Sequence, residues 1–446
     1  MTRPFNIVPT CRESTDLSIL IKGGLVVTQN WKREVLKGDV LIEGNMIVAV
    51  GHVKAKPDEV VDATGCVVMP GLINCHTHVA MALMRSVADD VPLERFLDRT
   101  FAIDAKRTPD DVGIGATLGC LEMARTGTTT FVDMYYDEDV IAKSAEQVGL
   151  RGYLGWTVLD EKFTTQKGKP VNNCENFIRA HKDRELIKPL VGVQGVYVCS
   201  DETLMEAKEL AQKEKTFCHY HLSETRSEVY EYRKQKGKRP AEHLADIGFF
   251  SKGDLAAHCV WLTINEIREL AKAGVGVAHC PTSNMKLASG GVAPLPEMLK
   301  EGVAVSLGTD GCSSNNGLDM FLEMKFASLL HKAHRWDAAV LPAQKCLDMA
   351  TVDAARCIGA EKELGSIEPG KKADIVVLDS SVAPMVPTTP SNVVANLVYA
   401  SPSHSIRDLI VDGKFVLKGK RIATIDEERF LPKAQAAAEK LVQAVK

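Results

Sequence analysis

Two histidines separated by one residue are the first feature that suggests chemistry. His76 and His78 follow the apolar run 70–75. Side chains two positions apart in a strand lie on the same face, so both imidazoles can bind one ion. The pair alone is a weak signal, because His219 and His221 repeat the spacing and a polar strand end can instead cap the next helix. Other strand ends must decide between these readings.

Three more polar residues lie in or directly after separate apolar runs, namely His221, His258 and Asp310. A single buried histidine is more often a satisfied core residue than a ligand, but this joint placement favours a metal site. Three imidazoles and one carboxylate form a coordination shell for Zn²⁺ or another borderline divalent ion and leave a position for water.

Three residues near these ends have less certain roles. Glu224, three residues after His221, is expected at the pocket wall, where it can move a proton, or else it stabilises a helix N-terminus. His279 either lines the pocket or anchors the following turn. His219 lies one layer deeper, which favours a supporting or packing role over ligation.

The elements that must position these residues are strand-like runs, each followed by a helical segment. Eight such runs favour an α/β fold of the TIM (β/α)8 barrel type, whose chemistry lies at the C-terminal strand ends. A doubly wound sheet is the alternative, although no G-x-G-x-x-G opens a first βα turn. The runs are 71–78, 128–133, 152–158, 190–198, 216–222, 255–261, 274–279 and 304–308.

Both ends of the chain are rich in short β-type runs. Residues 17–69 and the segment after Gly365 share this texture, which predicts that the termini meet in one small β-sandwich. We therefore expect a discontinuous β-sandwich domain of residues 1–69 and 365–446 and a catalytic barrel of residues 70–364. A surface helix is predicted from about Pro432 to Val445, with the proline in its first turn.

Composition excludes several classes of protein. The 446 residues carry a net charge of −4, which argues against electrostatic binding of nucleic acid. No apolar run approaches the ~18 residues that span a bilayer, and the N-terminus lacks an apolar signal region. The 12 cysteines form no C-x-x-C pair and indicate reduced thiols. A protein of the cytoplasm, bound to no membrane, is expected.

The combined motifs resemble the amidohydrolase superfamily. Within it they are most similar to the 5′-methylthioadenosine/S-adenosylhomocysteine deaminases and 5′-deoxyadenosine deaminases, over roughly residues 17–420. The resemblance implies a metal-dependent, distorted TIM barrel with a small β-sandwich. The motifs are Pro70-Gly-Leu-Ile-Asn-Cys-His-Thr-His78, His221-Leu-Ser-Glu224, Ala257-His-Cys-Val-Trp261, Ser283-Asn-Met-Lys-Leu-Ala288 and Gly308-Thr-Asp-Gly-Cys-Ser-Ser-Asn-Asn316.

The resemblance also implies roles for individual residues. One divalent ion, Zn²⁺ or else Fe²⁺ or Mn²⁺, would be bound by His76, His78, His221 and Asp310. Glu224 and His258 would complete the catalytic set, in which Asp310 accepts a proton from water. Barrels of this size often self-associate, so a homo-oligomer is expected.

The sequence departs from the family where substrate specificity is decided. Gln194, in the run 192–197, stands where the family has a histidine that contacts substrate. Phe96 replaces a tryptophan, and Asp104 replaces the glutamate that would hold the ribose hydroxyls. The expected substrate-binding residues are Phe96, Asp104, Gln194, Glu224, His279, Asp310 and Ser314.

The predicted function is hydrolytic deamination of adenosine-type nucleosides, which gives the inosine analogue and ammonia. Candidate substrates are 5′-methylthioadenosine, S-adenosylhomocysteine and 5′-deoxyadenosine. Hydrolysis of another electron-poor heterocycle, such as guanine, a pterin or a chloro- or amino-triazine, is the alternative. A catalytically inactive binding module is disfavoured, because Glu224, His258 and Asp310 have no structural need to accompany two ligand histidines.

Overall fold

The computed structural model of the protein describes residues 17–91, 93–400 and 402–443. Within these ranges the chain forms one sheet of nine strands and one of eight. The strands are β1 Ser18–Val27, β2 Val35–Glu43, β3 Met46–Gly51, β4 Glu59–Asp62, β5 Cys66–Pro70, β6 Leu72–Thr77, β7 Thr128–Tyr135, β8 Arg151–Val158, β9 Ile187–Val193, β10 Cys218–Leu222, β11 Leu255–His258, β12 Gly276–His279, β13 Val305–Leu307, β14 Ile375–Asp379, β15 Ile406–Val411, β16 Lys414–Lys418 and β17 Arg421–Ile422.

Helices connect most of the strands of the second sheet and pack around it. No helix in the described ranges is both long and apolar enough to cross a membrane. The α-helices are α1 Leu93–Asp104, α2 Pro109–Arg125, α3 Glu138–Val148, α4 Pro170–His181, α5 Asp201–Glu214, α6 Arg226–Lys236, α7 Pro240–Asp246, α8 Ile264–Ala273, α9 Pro281–Lys286, α10 Leu295–Lys300, α11 Met320–Arg335, α12 Ala343–Met349, α13 Val352–Cys357, α14 Val393–Tyr399 and α15 Glu427–Gln443. Short 3₁₀ helices cover Val79–Met84, Glu161–Phe163, Ala383–Met385 and Ser403–Ser405.

Strands β6 to β13 lie side by side in chain order, and every neighbouring pair is parallel. Each of the eight predicted runs overlaps one of these strands. Because parallel strands need crossover connections, their C-terminal ends all lie at the same end of the barrel. The predicted α/β fold, a distorted TIM barrel with a small β domain, is confirmed.

The barrel closes through hydrogen bonds between β6 and the segment after β13. The Asp310 N–H donates to the His76 carbonyl at 2.9 Å, and the Asn74 side chain exchanges hydrogen bonds with Thr309. Gly308 permits this approach, because a Cβ at this position would lie 2.7 Å from the His76 Cβ. The closure holds Asp310 beside the strand that carries the first two histidines.

The nine-stranded sheet contains strands from both ends of the chain. Strand β14 follows the barrel in sequence and pairs antiparallel with β5, which precedes the barrel. The two ends also share one apolar cluster, in which Ile19 and Ile42 lie with Ile375. This pairing supports the proposed β-sandwich domain of residues 1–69 and 365–446 and the proposed barrel domain of residues 70–364. Residues 1–16 and 444–446 of that division lie outside the described residues.

The C-terminal helix begins earlier than the sequence predicted. Helix α15 starts at Glu427, and Pro432 lies inside it rather than in its first turn. The Asp426 carboxylate accepts a hydrogen bond from the Arg429 N–H at 3.3 Å, and acidic residues occupy the first turn. A carboxylate cap and early negative charge are the usual signals of a helix start, and here they outweigh the proline. The predicted end at Val445 lies outside the described residues.

Candidate metal centre and active site

Four strand ends bring five potential ligands together at one end of the barrel. His76, His78 and His221 offer ligand atoms within 4.8 Å of one another, and so do His76, His258 and Asp310. The side chain of His78 is the most accessible of the five, although only 12% of it is exposed. The convergence predicted from the sequence therefore occurs in the structure.

Backbone carbonyls fix the orientation of two of the imidazoles. The Nδ1 atom of His78 lies 2.7 Å from the Met134 carbonyl oxygen, and Nδ1 of His221 lies 2.7 Å from the Gln194 carbonyl oxygen. A carbonyl only accepts, so each Nδ1 carries a hydrogen. The two Nε2 atoms therefore point into the cluster, 3.2 Å apart, where each can bind an ion once it is unprotonated.

His76 reaches the same state through a second histidine. Nδ1 of His219 donates to the Leu255 carbonyl at 2.9 Å, which leaves its Nε2 as an acceptor. That Nε2 lies 2.8 Å from Nδ1 of His76, so the hydrogen between the rings belongs to His76. His219 thus orients His76 without offering a nitrogen to the cluster, in agreement with the supporting role expected for it.

This donor set fits a divalent cation. Nε2 of His76 is completely buried and has no hydrogen-bond partner in the described part of the chain. Burial and the neighbouring imidazoles lower the pKa of His76 and of His221 well below the usual value, which keeps both rings neutral. Three converging lone pairs and a carboxylate repel one another unless a cation lies between them.

Asp310 contributes the carboxylate. Its Oδ1 lies 3.3 Å from Nε2 of His78 and 3.6 Å from Nε2 of His76, and its Oδ2 accepts a hydrogen bond of 2.6 Å from the Ser283 hydroxyl. Burial favours the neutral acid, but His78 and His258 outweigh it and hold the pKa of Asp310 below its usual value. The group is therefore an anion at neutral pH, as a ligand must be.

The backbone is strained at several of these positions. Ser223, His258 and Asp310 have φ angles of 50°, 70° and 63°, in the left-handed region that residues other than glycine rarely adopt. Each such residue costs about 1–3 kcal/mol and persists only where its surroundings enforce it. Strain of this kind gathers at functional sites, which supports a functional reading of this end of the barrel.

Glu224 and His258 form a second polar pair beside the ligands. Oε2 of Glu224 lies 3.7 Å from Nε2 of His258, and Nδ1 of His258 lies 3.1 Å from the Asn284 amide nitrogen. Burial, with a further contribution from Asp310, raises the pKa of Glu224 to about 8. A carboxyl group that holds its proton near neutral pH can act as a general acid.

The side chains expected to bind the sugar already have protein partners. Oδ1 of Asp104 accepts hydrogen bonds from Nε of Arg107 at 2.5 Å and from the Tyr135 hydroxyl. The Arg107 guanidinium stacks on the Tyr135 ring at 4.5 Å, and that ring lies 6.3 Å from the His78 ring. The amide nitrogen of Gln194 donates to the Tyr197 hydroxyl at 2.8 Å. Asp104 and Gln194 therefore belong to hydrogen-bonded groups along one wall of the site.

Three other residues predicted to bind substrate are buried or already contact other protein groups. Phe96 is only 6% exposed. The Ser314 hydroxyl donates to the Gly311 carbonyl at 3.1 Å, which is a local turn contact. Nε2 of His279 lies 3.3 Å from Nε2 of His331 on helix α11. Their roles in substrate binding stay predictions, and the contact with His331 does not support that role for His279.

Sequence reasoning missed residues that support the catalytic set. Ser283 contacts Asp310, Asn284 contacts His258, and the Glu228 carboxylate accepts hydrogen bonds from the N–H groups of residues 223–225. Thr225 and Glu228 form a capping box whose T-x-x-E pattern is visible in the sequence. Ser283 and Asn284 belong to a motif that carried the resemblance, but no local pairing pattern predicts their partners, because Asp310 and His258 lie elsewhere in the chain.

Comparison with known proteins identifies similar chains. The profile of the Amidohydrolase family matches residues 67–416. The chain is 42% identical to a 5′-deoxyadenosine deaminase of Methanosarcina mazei, over 96% of this chain and 99% of that protein. It is 40% identical to a 5-methylthioadenosine/S-adenosylhomocysteine deaminase of Thermodesulfovibrio yellowstonii, over 95% and 99%.

Solved structures agree with this similarity. The crystal structure of an adenosine deaminase from Xanthomonas campestris with bound zinc matches with a TM-score of 0.91 and 33% identity, over 95% of this chain and 98% of that chain. The zinc complex of atrazine chlorohydrolase from Arthrobacter aurescens matches with a TM-score of 0.88 and 25% identity, over 94% and 100%. Both alignments extend over the barrel and the terminal sheet.

Proposed function

Since this chain belongs to the amidohydrolase family, we propose that it is a metal-dependent hydrolytic deaminase of adenosine-type nucleosides. The observation that carries the proposal is the buried set of ligands with the Glu224–His258 pair beside it, 3.7 Å apart. Relatives named as 5′-deoxyadenosine and methylthioadenosine/S-adenosylhomocysteine deaminases support the class of substrate. The products are the inosine analogue and ammonia.

The proposed ligands of one divalent ion are His76, His78, His221 and Asp310. Zinc is the favoured ion, because similar proteins have been crystallised with zinc bound. When bound, such an ion supplies Lewis acidity that lowers the pKa of water toward ~7 and stabilises developing negative charge. The oriented Nε2 lone pairs supply a nearly complete coordination shell, so little reorganisation is needed on binding.

Three side chains then move protons around the reacting carbon. Asp310 accepts a proton as the water oxygen bonds to that carbon, and Glu224 gives its proton to the adjacent ring nitrogen. His258, whose Nε2 carries a hydrogen because Nδ1 faces the Asn284 amide, donates to the attacking oxygen. Asp310 returns its proton to the amino group as the C–N bond breaks, and the new hydroxyl restores the proton of Glu224. Water and the nucleoside thus give the keto product and ammonia.

Ammonia release from a substrate panel tests the proposal. 5′-Deoxyadenosine, methylthioadenosine, S-adenosylhomocysteine and adenosine should be compared with guanine, pterins and triazines. We expect that at least one adenosine derivative is deaminated and that its kcat/KM is the highest in the panel. Turnover of a free base or a triazine alone would instead identify another heterocycle as the substrate. Metal analysis of active protein should give about one equivalent per chain, because a single coordination shell is present.

We also propose that the protein self-associates and acts in the cytoplasm. Helix α11 exposes Leu322, Phe326 and Leu329 on successive turns of its outer face, and 41%, 37% and 43% of these residues are accessible. Contiguous apolar surface of this kind is common at subunit contacts. Light scattering should give a mass above that of one chain, and Phe326→Glu should reduce it.

A further inference from the structure

Glu323 is a buried carboxyl group that the proposed mechanism does not use. It lies in the first turn of helix α11, and only 1% of the residue is exposed. Burial raises the pKa of this carboxyl group to about 8, so the group is mostly neutral at pH 7. A buried polar group costs free energy unless hydrogen bonds replace those it made to water. The hydrogen-bond partners of Glu323 therefore indicate what it stabilises.

One carboxyl oxygen of Glu323 connects helix α11 to the segment that carries Asp310. Its Oε1 atom accepts a hydrogen bond of 2.6 Å from the side-chain amide of Asn315. The same amide nitrogen donates to the Thr309 carbonyl at 2.7 Å. This carbonyl belongs to the peptide group that leads into Asp310. Asn315 therefore links α11 to the backbone of a proposed metal ligand.

The other carboxyl oxygen connects α11 to helix α9, which follows β12. Oε2 of Glu323 accepts a longer hydrogen bond, 3.4 Å, from the Thr282 N–H. The next residue, Ser283, donates its hydroxyl hydrogen to Oδ2 of Asp310 at 2.6 Å. The two connections thus converge on Asp310, one through its backbone and the other through its carboxylate.

The backbone at Asp310 requires support of this kind. Its φ angle of 63° persists only where neighbouring contacts enforce it. The peptide group before it is held at both polar atoms, because the Asp310 N–H donates to the His76 carbonyl at 2.9 Å and the Thr309 carbonyl accepts from Asn315. Glu323 in turn holds the Asn315 amide.

We propose that Glu323 is a positioning residue for Asp310. It joins two supports of that residue to helix α11, namely the peptide group before it and the Ser283 hydroxyl on its carboxylate. Because Asp310 is both a proposed ligand and the proposed proton acceptor, displacing it should weaken metal retention and lower kcat together. The inference rests on the proposed deaminase function and its metal centre.

Two substitutions of Glu323 remove different parts of this connection. Glu323→Leu has a similar volume and accepts no hydrogen bond, so transfer of Zn²⁺ from the loaded protein to a chromogenic chelator should be about 10-fold faster and kcat about 10-fold lower. Glu323→Gln keeps one oxygen, which can still accept from Asn315, so both effects should be about 2- to 3-fold. KM for the best substrate should change less than about 2-fold in either variant.

A third substitution tests the path through Asn315. Asn315→Leu removes the amide that joins Glu323 to the Thr309 carbonyl, so it should also speed metal release and lower kcat. When it is combined with Glu323→Leu, the losses should be smaller than the product of the two single losses, because both changes break one connection. Losses that multiply would overturn this path.

A control separates positioning from general destabilisation. Asp254, at the N-terminal end of strand β11 and so away from the ligands, is also buried and accepts hydrogen bonds from the Cys218 and Ser251 N–H groups. Asp254→Asn should lower the thermal unfolding temperature but change neither metal release nor kcat. Equal changes in Asp254→Asn and Glu323→Gln would show that Glu323 contributes only stability, which would overturn the proposal.

The outcomes also separate this inference from the proposed function. Metal release and kcat that match the unchanged protein in Glu323→Gln and Glu323→Leu would overturn the positioning role and leave the deaminase proposal intact. If Glu323→Leu does not fold, Glu323→Gln decides by the same criterion. Faster metal release in a protein that forms ammonia from no adenosine derivative would support the role of Glu323 and overturn the proposed substrate class.

Discussion

The two walls of the site are built differently. The proposed metal side, which consists of His76, His78, His221 and Asp310, lies on strands or directly after them, and backbone carbonyls orient two of its imidazoles. The proposed substrate side consists of Asp104, Arg107, Tyr135, Gln194 and Tyr197, and it relies on contacts between side chains.

The difference determines how each wall responds to amino-acid substitution. Coordination fixes ligand distances closely, and the backbone carbonyls that orient His78 and His221 are groups that substitution cannot remove. Side-chain contacts, in contrast, change with single substitutions. Gln194 illustrates both cases, because its carbonyl serves the metal side while its amide serves the substrate side. Substrate preference can therefore change along this wall while the hydrolytic chemistry is retained.

The largest loss of activity is expected when a proposed metal ligand is removed. His78→Ala should lower both metal content and activity, with a loss of at least about 10⁴-fold, because the Lewis acid and the ordered water are lost together. Metal analysis and kcat/KM measure the two effects. His404→Ala, at an exposed position in the terminal segment, should change neither. Full metal content in His78→Ala would remove this residue from the proposed shell.

Changing the proton donor separates chemistry from metal binding. Glu224→Gln should keep the metal and lower kcat about 10²- to 10⁴-fold, because an amide of the same size cannot deliver a proton. Turnover and metal content should be measured on the same preparation. Activity close to that of the unchanged protein would mean that Glu224 only supports the loop after β10.

The substrate side should respond more weakly. Arg107→Met removes the cation that holds Oδ1 of Asp104, so we expect KM to rise about 3- to 10-fold with little change in kcat. Steady-state kinetics distinguish the two constants. Arg179→Met provides the control, since that arginine also pairs with a carboxylate but is 53% exposed on α4. A fall in kcat without a change in KM would place Arg107 in the chemical step instead.

The smallest effect on activity is expected outside both walls. Burial lowers the pKa of His331 to about 4, so the folded protein keeps this ring neutral while the unfolded chain protonates it near pH 6.5. Stability from this group is present above pH 6.5 and is lost as the pH falls toward 4. The free energy of unfolding should fall between pH 7 and pH 5. In His331→Gln this fall should be smaller than in the unchanged protein by about 2 kcal/mol.

Urea unfolding at the two pH values measures this difference. Metal content and kcat at pH 7 should stay unchanged in His331→Gln, because the ring contacts His279 rather than the ligands. An identical pH dependence in the variant and the unchanged protein would show that His331 does not contribute.

The sequence predicts the metal side better than the substrate side for a physical reason. Each ligand lies at the end of a strand, and the barrel brings strand ends together whatever the details of packing. The five ligand candidates are therefore predictable from strand periodicity. Asp104 and Gln194 were found only by resemblance, and their partners Arg107 and Tyr197 were not anticipated, because side-chain pairs that involve loop residues leave no periodic signal.

Two predicted substrate residues make contacts that the sequence did not indicate. His279 ends a strand, and its Nε2 lies 3.3 Å from Nε2 of His331 on α11. Ser314 follows a strand, and its hydroxyl donates to the Gly311 carbonyl within its own turn. Alternation along a strand does not specify such partners, because they depend on how helices and turns pack against the strand end. The substrate-binding roles of both residues stay predictions.

The hydrogen bonds that close the barrel have a consequence for the order of folding. Asn74 and Thr309 are 235 positions apart in the chain, and Asp310 meets His76 through the same closure. Contacts between such distant residues form late, because the intervening chain must be ordered first. The complete set of four proposed ligands is therefore assembled only in the finished barrel. During refolding, we expect the ion to bind at the rate of the slowest folding phase. Once bound, the ion should stabilise the junction between the first and last barrel strands.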